Sequence, residues 1–177
     1  MTLTPPFGNG SALGRRAALT LVAVATLSLS ACGSTEPTTQ TDAASTANTV
    51  TLLDGTTMAV PAKTPTAMFF FSVGCGECVG GAKSLGEAAR EFEDKAAFLA
   101  VDMDPSESET TIQQFLDYVE APELPTAIDT DAKLSRRYQV AALSTLIVVD
   151  PAGKVAYRAT DPSSQEIQDA LTEAGAE

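Results

Sequence analysis

Phe69-Phe70-Phe71-Ser72-Val73-Gly74-Cys75-Gly76-Glu77-Cys78 is the stretch on which the reading of this chain turns. The apolar residues from Thr66 to Ser72 predict a strand buried on both faces, because polar alternation is missing. Beyond the two cysteines, Val79, Ala82, Leu85, Ala88, Ala89 and Phe92 recur at helical spacing, with Lys83, Glu87, Arg90 and Glu91 on the other side. A Cys-x-x-Cys pair at such a strand-to-helix turn lies beside free backbone N–H groups and the positive end of a helix dipole. That environment favours a thiolate, the reactive form of cysteine. Gly80, Gly81 and Gly86 lower helix propensity in this segment, which predicts an irregular or tightly packed first turn.

Outward from this centre the pattern alternates. Towards the N-terminus, Thr49 to Leu53 and Thr56 to Val60 flank Asp54-Gly55, a hairpin signal. Towards the C-terminus, Ala97 to Val101 reads as a second buried strand. Ser106 with Glu109 resembles a capping box opening a helix through Ile112, Phe115, Leu116 and Val119. Thr126 to Ile128 is a short extended stretch, and Ala132 to Tyr138 a short helix. Leu143 to Val149 and Lys154 to Ala159 are strands joined by the turn Asp150-Pro151-Ala152-Gly153. Asp161-Pro162 reads as the cap and first turn of a last helix that buries Ile167, Ala170, Leu171 and Ala174. The order predicts an α/β fold with a central mixed sheet flanked by helices.

The remaining residues bound the chemistry. The 177-residue chain has no histidine, which excludes Ser-His-Asp and Cys-His catalysis and imidazole-ligated zinc. A formal charge of −12 argues against nucleic-acid binding. Three cysteines cannot all pair within the chain, and the third, Cys32, ends an export-like segment. There, Arg15-Arg16 precede an apolar run from Ala17 to Leu29, too short for an easy transmembrane span. Leu29-Ser30-Ala31-Cys32 resembles the lipobox of bacterial lipoproteins, which implies cleavage and lipidation at Cys32. Residues 1–32 are therefore expected to be a signal peptide. Residues 33–48, rich in Ser, Thr, Ala and Gln, are expected to be a disordered tether, and 49–177 the folded domain. Cleavage leaves nine basic against 23 acidic side chains, so attachment to anionic lipid would rest on the anchor alone.

From roughly Thr49 to the C-terminus, the sequence resembles the thioredoxin-fold family. More narrowly, it resembles the extracytoplasmic thiol-disulfide oxidoreductases of the TlpA/ResA type. The matching pieces are Phe69 to Cys78, the strand into Val101-Asp102-Met103-Asp104, Tyr138-Gln139-Val140, and Leu146 to Asp150 with its hairpin turn. The helix between Ser106 and Ala121 is what separates this type from plain thioredoxin. The resemblance implies Cys75 as the nucleophile and Cys78 as the resolving thiol, with a redox-active Cys75–Cys78 disulfide and no other cofactor. Gly76 and Glu77 lie between the thiols. Ser144, ahead of Thr145, takes the place of the family's cis-proline, with Leu124-Pro125-Thr126 as the rival placement. A Ser144 peptide bond is expected to be trans, since a cis bond there costs about 3 kcal/mol.

Other departures follow from the same correspondence. Gly74 replaces an aromatic residue before the pair. Phe69 and Gly81 stand at the two positions where relatives carry a buried acid. Glu77, itself expected to be solvated, disfavours a neighbouring negative charge. The expectation is therefore a reductant acting on exported protein thiols and disulfides, supplied by a DsbD/CcdA-type membrane electron donor. The alternatives are a redox-silent domain with a static bridge, and a module binding soft Cu(I) through the thiols, with Met68 or Met103 assisting. The three phenylalanines and Tyr138 are expected in the core. Asp102 and Asp104 are expected in a solvated loop.

Overall fold

In the computed structural model, residues 47–177 are described. The expected signal segment, Cys32 and all but the last two residues of the expected tether lie outside them. A hairpin comes first, with β1 (Asn48–Thr51) antiparallel to β2 (Thr57–Val60). Gly55, at φ +81°, makes the left-handed step in its connection.

The main sheet has five strands in the order β5-β4-β3-β6-β7. They are β3 (Thr66–Phe71), β4 (Ala97–Asp102), β5 (Thr126–Ile128), β6 (Thr145–Val149) and β7 (Val155–Thr160). β4 lies parallel to β3 on one side and to β5 on the other. β6 is antiparallel to both β3 and β7. β3 is therefore central, and every one of its residues is buried. The helices are α1 (Cys78–Glu91), α2 (Glu109–Tyr118), α3 (Lys133–Arg137) and α4 (Ser164–Glu173). The predicted α/β fold, with its mixed sheet and N-terminal hairpin, is the one observed.

Strand alternation sorts the core into two layers. Phe69, Phe71, Phe98, Ala100, Leu146 and Val148 face α1, α2 and α4. Met68, Phe70, Leu99, Val101, Ile147 and Val149 face α3 and the β1–β2 hairpin. The ring of Phe71 stacks on that of Phe115 at 5.1 Å between centroids, docking α2 on the first face.

Two helix starts differ from expectation. α2 is capped by Ser108, whose hydroxyl accepts from the Thr111 N–H, while Ser106 turns back to the Asp104 carboxylate. α4 is capped by Ser163 in a complete box with Glu166, and Asp161 sits outside it at φ +50°. In each case two candidate caps lie two residues apart. The later one has a partner three residues on that closes the bonding.

Candidate active site

β3 delivers the chain to the turn that carries the cysteines. Past Phe71 the backbone leaves the ladder, and a carboxylate from the loop between β4 and α2 takes over its hydrogen bonding. Glu107 Oε1 accepts from the Ser72 hydroxyl at 2.8 Å and from the Val73 N–H at 3.0 Å. Its Oε2 lies 2.9 Å from the same N–H. The Cys75 N–H then donates to Ser72 O, and the Cys78 N–H to Cys75 O, each at 3.0 Å. These bonds wind Ser72 to Cys78 into two tight turns, and α1 begins at Cys78.

Cys75 and Cys78 are joined in a disulfide, their Cα atoms 5.3 Å apart. Cys75 is half-buried, whereas Cys78 is 0% exposed and belongs to the core layer under α1. Only the first sulfur is open to a partner of protein size. Glu77 is exposed at the N-cap of α1 and makes no side-chain capping bond. Gly76 is exposed, with open space where a Cβ would lie.

Beneath the disulfide the site is dry. A Cβ on Gly81 would fall 2.4 Å from two ring carbons of Phe69 and 3.4 Å from Ser144 Oγ. Helix α1 thus meets β3 at a glycine-on-ring contact that admits no larger residue without a shift. This contact occupies both positions expected to lack an acid, and it is why a glycine stands at position 81 inside the unbroken helix α1.

Ser144 closes the opposite wall. It is buried, sits at φ +57°, and its hydroxyl lies 3.5 Å from the Glu77 carbonyl, at the outer limit of a hydrogen bond. Among the described residues the cis peptide bond is Val60–Pro61, so the bond before Ser144 is trans. Thr145 opens β6 and donates from its hydroxyl to Ala142 O at 2.7 Å. The rival Pro125 precedes β5, at the sheet edge beyond β4.

One functional candidate escaped the sequence reading. Asp102 is 0% exposed rather than solvated. It pairs with Phe71 at the C-terminal end of β4, and alternation with Phe98 and Ala100 turns its side chain to the same face as Cys78. Its Oδ1 accepts from the Asp104 N–H at 3.0 Å, while Oδ2 is buried without a partner. Burial pushes this carboxyl up to about 6; the Asp104 N–H opposes the rise, and Glu107 and Asp104 add to it. The period-2 spacing of Phe98, Ala100 and Asp102 was the available signal.

The methionine assistance does not survive. Met68 and Met103 both belong to the layer on the other face of the sheet, because Met68 alternates with Phe69 and Phe71. Among the described residues no group of three or more Cys, Asp or Glu side chains converges as a metal site.

Comparison with known proteins places this geometry. A family model described as thioredoxin-like matches residues 63–155. A Streptomyces lividans protein described as mercury resistance operon ORF3 is 69% identical over 137 residues, covering 76% of this chain and 72% of its own. Among solved structures, the exposed lipoprotein thioredoxin of Streptococcus pneumoniae superposes with a TM-score of 0.62 at 21% identity. That match covers 72% of this chain and 98% of the other. The dsbF protein of MTB, in its mixed oxidized and reduced forms, gives 0.61 at 21% identity, over 73% and 96%. At such identity these two likenesses show the fold.

Proposed function

Because this chain belongs to the thioredoxin-like family, we propose that it is a thiol-disulfide oxidoreductase, of the TlpA/ResA type, whose working bond is Cys75–Cys78. The observation that carries the reading is the asymmetry of the bridge: one half-buried cysteine, one wholly buried, at the turn into α1. Exchange needs that asymmetry. A partner thiolate attacks Cys75 Sγ, the bridge opens, and Cys78 leaves; in the other direction the Cys75 thiolate attacks a partner disulfide and Cys78 resolves the mixed species. A static bridge closing so short a loop would constrain the unfolded chain little.

The setting proposed is extracytoplasmic. Cys32 carries a lipid, residues 33–48 form the tether, and electrons come from a DsbD/CcdA-type donor to be spent on exported protein disulfides. Glu77 beside the pair supports the reducing direction, since its negative charge raises the energy of a Cys75 thiolate and so makes the reduced form readier to give up electrons. The test is an exchange assay on the full chain with a small protein disulfide. Cys75→Ser should abolish turnover, and Cys78→Ser should accumulate a mixed disulfide through Cys75. Turnover retained in Cys75→Ser would end the reading. Mass analysis of Cys32 in the membrane fraction checks the anchor.

A second reading has its own observation, the description of the Streptomyces lividans relative as part of a mercury resistance operon. In it, the reduced Cys75 and Cys78 hold a soft ion, Hg(II) or Cu(I), between two thiolates. With Met68 and Met103 on the other face, the sulfur ligands come from the cysteines alone. A one-to-one complex of reduced protein that Cys75→Ser abolishes would support this reading, and an absence of binding would remove it.

A further inference from the structure

The exchange chemistry leaves Asp102 and Glu107 unused, yet they are built into the turn that carries it. Glu107 is the acceptor for Ser72 and Val73, two residues before Cys75. Both its oxygens are taken up in that role. Asp102, level with the last residue of β3, feels the negative charge of Glu107 and keeps a buried, unpartnered Oδ2. A proton on Asp102 Oδ2 would satisfy that oxygen and relieve the repulsion between the two carboxylates.

We propose that Asp102, in a carboxyl pair with Glu107, is a proton acceptor linked to the redox state of Cys75–Cys78: Asp102 gains a proton when the bridge is reduced and loses it when the bridge re-forms. The inference rests on the oxidoreductase reading. A partner dithiol gives up two electrons and two protons as its own disulfide forms. The electrons break the Cys75–Cys78 bond. One proton ends on Cys78, buried where a charge is costly, and the other on the carboxyl pair, which leaves Cys75 as the thiolate. Charge balances, since the negative charge lost by the pair reappears on Cys75. The new thiolate, two residues from Val73, is a third negative charge close to two carboxylates, and this drives the uptake.

The groups facing Asp102 support the assignment. The loop before α2 contributes Asp104 and Glu107, both acidic. Asp104 is engaged by the N–H and hydroxyl of Ser106. Beyond β5, Asp129 turns its carboxylate to the Leu134 and Ser135 N–H groups. β3 and α2 present Phe71 and Phe115 on this face, and α1 presents Cys78. No lysine or arginine counts among the groups that shift the Asp102 carboxyl. Proton uptake is thus the way to relieve added negative charge.

The deciding experiment is a carbon-13 NMR titration of the Asp and Glu carboxyls of the full chain, once oxidised and once under excess dithiothreitol. The Asp102 midpoint should lie at higher pH in the reduced protein. Coincident midpoints would overturn the linkage. A second measurement follows the Cys75–Cys78 potential against pH. Wild type should show a change of slope near the Asp102 midpoint that Asp102→Asn removes, and an unaltered profile in that variant counts against the proposal. The chemical reductant keeps the outcomes apart. If the bridge responds to dithiothreitol but wild type turns over no protein disulfide, the oxidoreductase reading fails while the titration still reports on the pair.

Discussion

Two regions adjoin the same disulfide and are built on opposite principles. Under Cys78, the Phe69 ring and Gly81 make a contact so close that no side chain fits between helix and sheet. Beside the turn, Asp102 and Glu107 bring two carboxyls together at the end of the neighbouring strand. The first region penalises charge, so Cys78 is favoured as a thiol; the second concentrates charge and can store a proton. An acid serving this site need not sit on the strand that delivers the cysteines. Here it sits one strand over, level with Phe71.

The largest effect should come from the dry region. Phe69 is fully buried, and truncation to Ala removes a ring that α1 rests on, at an expected loss of about 3–5 kcal/mol. Gly81→Ala should cost about 1–3 kcal/mol by overpacking. Combined with Phe69→Leu, that second penalty should shrink, because the obstructing ring atoms are gone. Urea unfolding of Phe69→Ala, Gly81→Ala, Phe69→Leu and the Phe69→Leu/Gly81→Ala double variant reads all of this. Simple additivity would mean that the glycine is there for another reason.

Much of this region was legible in the sequence. A strand apolar at every position, two cysteines and an amphipathic helix leave little choice of architecture, and the terminal hairpin and last helix follow from turn residues and spacing. What could not be read were choices decided by packing. Ser106 and Ser108, like Asp161 and Ser163, are equally good caps by composition, and the surrounding fold selects the later one. A strand buried on both faces also hides which residues share a side. From sequence, Met68 therefore reads as a neighbour of the thiols although it faces away from them. Asp102 was hidden for a related reason: an acid at a strand end reads as the start of a loop unless its parity is followed.

The acidic region should respond to pH where the dry one does not. With its folded-state pKa raised to about 6, Asp102 is protonated more readily in the folded chain than in the unfolded one. Its contribution to stability is then fully present below about pH 4, the unfolded value, and is lost as pH rises through 6. Asp102→Asn keeps the acceptor for the Asp104 N–H without the buried charge. It should therefore be more stable than wild type at neutral pH, by up to about 3 kcal/mol, and flatter between pH 4 and 6. Thermal unfolding across that range measures it. A variant less stable than wild type at pH 7 would mean that the ionised carboxyl holds the loop.

Ser144 separates the two designs by the smallest margin. It stands at the edge of the dry contact with its hydroxyl towards Glu77 O, yet holds a left-handed backbone at φ +57° that costs a non-glycine residue roughly 1 kcal/mol. A 3.5 Å approach offsets little of that. Ser144→Gly should therefore gain up to about 1 kcal/mol, whereas Ser144→Pro should lose more, since proline holds φ near −65°. The backbone here has thus settled into a conformation that a proline cannot take up unless the loop from Ala142 to Thr145 rearranges. If Ser144→Gly instead loses stability, the hydroxyl is anchoring the start of α1 at Glu77, and this edge of the site is held by a polar contact rather than by packing.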